Sequence, residues 1–155
     1  MKNFYQKGIT IFELLIVFAI LGAILAVTIP QFSKIRELQV VKSAVQEVLS
    51  SIDRARSDSL SSLNSSEYGV HLESDKIIIF KGMIFSEGAG DNEIISITSP
   101  ATVSNVTFGG VSASSGDVYF NRLSGSPSKT GTITISSPNY SKIITILATG
   151  VASVN

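Results

Sequence analysis

Three hydrophobic patterns succeed one another along this chain. From Leu14 to Val27 no residue is polar, and the wider stretch from Ile9 to Ile29 is diluted only by Thr10, Glu13 and Thr28. A helix built from it is apolar on every side, unlike the one-sided helices of soluble domains. At ~1.5 Å per residue it spans about 30 Å, the thickness of a bilayer core. After Pro30 the period becomes that of an amphipathic helix. Leu38, Val41, Val45, Val48, Ile52 and Ala55 form one stripe, with Gln39, Ser43, Gln46, Ser50, Arg54 and Ser57 opposite. No glycine or proline falls between Gln31 and Leu63, and Asn64-Ser65-Ser66 supplies the stop. Together the two stretches predict one helix of about 80 Å.

From Tyr68 onward the period is two. Strands are expected at Tyr68–Leu72, Lys76–Phe80, Met83–Ser86, Glu93–Thr98, Thr102–Phe108, Val118–Arg122, Gly131–Ser136 and Ile143–Ala148, with Val151–Val154 as a last one. Turn residues separate them, as in Glu73-Ser74-Asp75, Lys81-Gly82 and Ser124 to Lys129. The stripe and the strands each have one apolar face to bury, so an antiparallel sheet packed on the amphipathic helix is expected. The fold class is therefore α+β.

The 155 residues suffice for one modest domain and an appendage. Formal net charge is zero, so no global field points to nucleic acid or an anionic surface. Mean hydropathy is +0.35, and the apolar span accounts for most of that excess. The absence of cysteine rules out a disulfide framework, a thiolate nucleophile and a cysteine zinc site.

Glu13 is the informative residue of the span. An ionisable group within an apolar helix costs on the order of 2.5–3.5 kcal/mol at the bilayer centre, and less near a helix end. One explanation is local: Thr10 and Glu13 have capping-box spacing, and a carboxylate suits a helix N-terminus. The other is a positive partner from another subunit. Lys2 and Lys7 before the span place the leader on the cytoplasmic side, although Lys34 and Arg36 follow it. A cleaved secretory signal lacks its small-residue cut site, because Ala26 is followed by Val-Thr-Ile-Pro. A plain signal anchor fits the hydropathy but leaves Glu13 unexplained.

The string Gly8-Ile9-Thr10-Ile11-Phe12-Glu13-Leu14 resembles the prepilin peptidase site of type IV pilins and type II secretion pseudopilins. That resemblance implies a cut between Gly8 and Ile9 and N-methylation of the new terminus at Ile9. It also makes Glu13 the carboxylate used in subunit assembly and Pro30 a helix-interrupting proline. Ile9 stands where the family more often has phenylalanine or methionine. The implied organisation is a cytoplasmic leader over residues 1–8, a transmembrane and assembly helix over 9–30, its amphipathic continuation over 31–66 and a β-rich pilin domain over 67–155.

The C-terminal half is similar to the GspH/FimT group of minor pilins and pseudopilins. The carriers are Tyr68-Gly69-Val70, Ile78-Ile79-Phe80-Lys81-Gly82, Val118-Tyr119-Phe120 and the ending Ile143 to Val151. Some members end in arginines suspected of touching DNA. Here Val151 to Asn155 carries no base, and phosphate contact relies on cations, so nucleic acid is not an expected partner. Arg122, Lys129 and Lys142 offer at most a small basic patch.

No enzyme is expected. His71 is the one histidine, which excludes a histidine-rich metal site and leaves any triad resting on it alone. Ser126-Pro127-Ser128-Lys129 and Lys129-Thr130-Gly131 share a lysine where penicillin-binding motifs need two. Glu87, Asp91, Asn92 and Glu93 are oxygen-rich and calcium is conceivable, but their spacing is not an EF-hand. Asn64, Asn105 and Asn139 stand in sequons. No cofactor or metal is expected. The partners implied by the resemblance are the prepilin peptidase, other pilins or pseudopilins, an inner-membrane assembly platform and, before assembly, membrane lipid. The implied role is a minor pilin or pseudopilin of a type IV pilus or type II secretion system. A major pilin and a tethered binding domain that never polymerises remain open as alternatives. The location follows: a single-pass inner-membrane protein with its C-terminal domain outside the cytoplasm, later part of the filament.

Overall fold

The computed structural model describes residues 8–155. A single helix, α1, runs from Ile11 to Leu60, and a 3-10 turn at Leu63–Ser65 follows it. Ser62, Asn64 and Ser65 adopt left-handed backbone angles there, which the short polar side chains of such a serine- and asparagine-rich stop tolerate better than branched ones. The chain divides after Arg36 into two compact units. In the first, every side chain described from Gly8 to Arg36 is exposed. In the second, α1 buries Val41, Ala44, Val45, Val48, Ile52 and Ala55 in a common core with the strands. The expected stripe is thus the buried face, with Leu38 only half-buried at its start and Ser51 and Ser59 added to it. Both serines return their hydroxyl protons to the helix, to the Glu47 and Ala55 carbonyls. That satisfies them without leaving the apolar face. The globular unit takes in the helix from Glu37 onward together with the strands.

Nine strands follow: β1 Tyr68–Leu72, β2 Lys76–Lys81, β3 Glu93–Ser96, β4 Thr102–Phe108, β5 Val111–Ala113, β6 Gly116–Phe120, β7 Gly131–Ser136, β8 Ser141–Ile146 and β9 Ala152–Val154. They form two antiparallel sheets, β3-β2-β1-β6 and β5-β4-β7-β8-β9, where one was expected. The apolar faces of β1, β2, β4, β6, β7 and β8 present more surface than one helical stripe can cover. Splitting lets the two inner faces share the helix and cover each other. Val70, Leu72, Ile77 and Val118 from the first sheet and Val106, Ile133, Ile135 and Ile144 from the second belong to the same core.

Two further differences are local. Met83–Ser86 is not a strand; it begins a loop that ends at Asn92. Gly82, at φ 101°, turns the chain out of β2. Conversely, β5 was not expected. It is a three-residue strand reached through Gly109-Gly110, both with positive φ, and it pairs Val111 with Phe108. A Gly-Gly pair between apolar residues is a recognised two-residue hairpin signal, and it was the overlooked cue. Gly131 marks the tightest approach in the second sheet: a Cβ there would lie 1.9 Å from the Thr107 carbonyl oxygen.

Candidate assembly segment

The residues singled out in the sequence fall in two places. Gly8, Ile9 and Thr10 immediately precede α1, and Glu13 lies in its first turn. The Thr10 hydroxyl accepts the Glu13 backbone N–H at 3.2 Å, and the Thr10 carbonyl accepts that of Leu14 at 3.1 Å. Thr10 therefore caps the helix, supplying one of the donors that a helix start leaves unpaired. Among the described residues no donor reaches the Glu13 carboxylate. Half of the capping box is present, and the acid itself is left for something else. Gly8 is exposed, with nothing within 4 Å of where a Cβ would stand, and Ile9 is 77 % exposed. Residues 1–7 of the expected leader lie outside the described residues.

From Leu14 to Val27 the helix offers only apolar surface. Phe12, Val27 and Phe32 are each at least 70 % exposed, and the most apolar part of the segment has a mean hydropathy of 2.7. It is long and apolar enough to cross a membrane. The apolar surface continues past Ile29 to Phe32 and Ile35, with Lys34 and Arg36 interleaved. The helix also continues through Pro30, where the resemblance implied an interruption. Proline removes a single N–H from the ladder, at the carbonyl four residues earlier. The turns on either side keep theirs, and Thr28 gives its hydroxyl proton to the carbonyls of Ile24 and Leu25, at 3.0 and 3.3 Å.

Within the globular unit the remaining candidates separate rather than converge. Arg122 donates to the Ser65 carbonyl and Lys142 to that of Asn155, while Lys129 lines a cleft with Asp117 at the β5–β6 end. These three do not form one patch. The acidic loop does not converge either. Glu93 pairs with Arg54 on α1 at 2.6 Å, and Asn92 donates to the carbonyls of Ser86 and Glu87. Among the described residues no group of three or more histidines and carboxylates is placed to hold a metal. The sequon amides are engaged in side-chain contacts: Asn64 with the Tyr68 hydroxyl, Asn105 with Thr107 and Asn139 with Glu37.

The Glu37–Asn139 contact was not anticipated. Glu37 is buried at the start of the globular unit, and Asn139 lies in the β7–β8 turn. The Asn139 backbone N–H donates to Oε1 at 2.9 Å and its amide to Oε2 at 2.8 Å. The Asn139 side chain, the Ser137 hydroxyl and the Asn139 N–H together hold the carboxyl below its ordinary value, against the opposing effect of burial. A buried acid on the apolar side of a helical stripe was the available signal. Its partner, a hundred residues away, had none.

His71 lies on the outer face of β1 and is half-buried. Its ring stacks on Phe85 with centroids 3.9 Å apart and planes 5° from parallel. Nδ1 is buried without a partner, and Nε2 is 3.7 Å from the Glu73 carboxylate. No serine or cysteine nucleophile is hydrogen-bonded to it among the described residues. Comparison with protein-family models, curated proteins and solved structures returned no match to the chain.

Proposed function

We propose that the protein is a structural subunit of a membrane-assembled filament: a minor pilin or pseudopilin of a type IV pilus or a type II secretion pseudopilus. One observation carries the reading. A helix exposing apolar side chains all round, with a carboxylate near its start that has no donor among the described residues, runs without interruption into a separately cored globular unit. Apolar surface on this scale needs lipid or the apolar surfaces of neighbouring helices. Lipid satisfies the side chains but leaves Glu13 costly; a neighbour bearing an amine satisfies both. On this reading the chain is made as a prepilin and cut after Gly8. It is methylated at Ile9, held in lipid, and then drawn into a filament by helix packing and by Glu13 meeting another subunit's N-terminal amine. Incorporation would pass through the prepilin peptidase and an inner-membrane assembly platform. No catalytic role is part of the proposal.

Mass spectrometry of the mature protein tests the first half, with N-methylated Ile9 as the expected terminus. A chain starting at Met1, or cut beyond Ala26, contradicts it. The second half predicts that Glu13→Ala inserts into membranes as the native chain does but fails to enter filaments. Normal incorporation of that variant would instead favour a tethered domain that does not polymerise. A major pilin is distinguished from a minor one by its abundance in purified filaments.

A further inference from the structure

The outer face of β2 should be wet, yet it is not. All four residues from Ile77 to Phe80 are buried, although only Ile77 and Ile79 point to the helix and the second sheet. Ile78 and Phe80 are 1 % exposed on the opposite side. What covers that side includes the loop of residues 82–92, which returns Phe85 onto the sheet. Its ring meets Phe80 edge-on at 5.6 Å and lies flat on His71. Gly69 makes room beneath, because a Cβ there would lie 2.4 Å from the Phe80 ring. On either side of Phe85 the loop is exposed, from Met83 and Ile84 to Glu87 and Gly88. Between its hydrogen-bonded ends at Gly82 and Asn92, Phe85 is the one aromatic that turns inward.

The platform under that aromatic can change charge. His71 retains about 15 % of its side-chain exposure, and its Nδ1 has no partner to receive a proton's hydrogen bond. The groups facing it come from every neighbouring element: Glu73 and Lys76 from the β1–β2 hairpin, Asp117 from β6 and Glu87 from the loop itself. Burial depresses the imidazole's pKa. Glu73, Asp117 and Glu87 oppose that effect, Lys76 reinforces it, and the net direction is downward. A base held below its ordinary value is more readily protonated when uncovered. Stability of the closed arrangement is therefore complete above about pH 6.5 and is lost as pH falls through the lower closed-state value.

We propose that residues 82–92 form a lid on the four-stranded sheet, held shut by Phe85 on the neutral His71 ring and released when that ring takes up a proton. Opening uncovers Phe80, turning a polar-rimmed sheet face into an apolar one. The inference is independent of the filament reading and concerns the globular unit alone.

The chain's single histidine makes the test clean. In detergent-solubilised full-length protein, the His71 ring-proton NMR signal should be shifted by the Phe85 ring at about pH 8 and lose that shift as the pH is lowered, with a midpoint below about 6.5. Hydrogen-exchange protection of the 82–92 amides, corrected for intrinsic rates, should fall with it by up to tenfold per pH unit, the limit for one linked proton. His71→Phe keeps an aromatic platform without a titrating group and should retain protection throughout. Phe85→Leu should remove the shift and return the midpoint towards 6.5. A ring shift that survives protonation, or loop protection that falls equally in His71→Phe, overturns the proposal.

Discussion

Glu37 and Asn139 meet across 102 residues of chain, at the residue where the globular unit begins. The acid stands one residue after the exposed Arg36, and both of its oxygens are occupied by one asparagine. Removing it deprives the Asn139 amide and N–H of their acceptor in the fold and leaves them to water, since Asn139 itself is exposed, and it unties the β7–β8 turn from the helix. Glu37→Ala should lower the melting temperature, measurable by circular dichroism, more than loss of any exposed charge such as Lys42. The pH dependence has a definite sign. The folded carboxyl sits below its ordinary 4.5, so its contribution is complete above that value and fades as pH falls through the lower one. A Glu37→Gln variant should therefore lose less stability than the native protein across that acid range. At Gly131 backbone geometry decides. Gly131→Ala would force β7 away from the Thr107 carbonyl, and a denaturant midpoint should report a loss of about 1–3 kcal/mol or more, as for overpacked cores.

Ile52→Ala probes the next scale, that of the element. Ile52 is fully buried in the middle of the stripe, and truncating such a side chain costs about 2–5 kcal/mol. Ser50→Ala, two residues earlier on the exposed side, should be neutral within about 0.5 kcal/mol in the same denaturation assay. That contrast was legible in the sequence because helical period depends only on near neighbours. Strands β1, β4 and β7 were legible to the residue for a similar reason, as β-branched runs closed by turns. What escaped depended on distant partners. Met83–Ser86 has an apolar, strand-like composition, but Phe85 is apolar in order to fold back on His71 and Phe80. The division into two sheets could not be read from strands of equal appearance. In the candidate segment, the Thr10 cap and the exposed span followed from local rules. The unbroken passage through Pro30 did not, because proline's preference is only a local bias.

At the scale of the molecule, the division after Arg36 separates two kinds of solubility. The core lies wholly within residues 37–155, whereas the first unit has no buried residue among those described. Deleting residues 1–36 should yield a monomer that is soluble without detergent and keeps the strand content of the full chain, measurable by ultracentrifugation and circular dichroism. Persistent aggregation of that fragment would mean that the globular unit needs the apolar helix to fold. The Glu13 and Ile9 predictions also belong here, because they concern incorporation rather than stability.

The order of the strands has a consequence for how the subunit comes together. β1 pairs on one side with its hairpin partner β2 and on the other with β6, so that Leu72 faces both Ile77 and Gly116. Between those partners the chain has already left for the second sheet, laid down β4 and β5, and come back. Closing the first sheet therefore means closing a loop that contains two strands of the second, and the helical stripe is covered by both. Both sheets and the helix share one core, so neither sheet keeps a complete core without the other. Probes placed on either sheet should report one shared unfolding transition, with a rate set by the slow search for these non-local pairings.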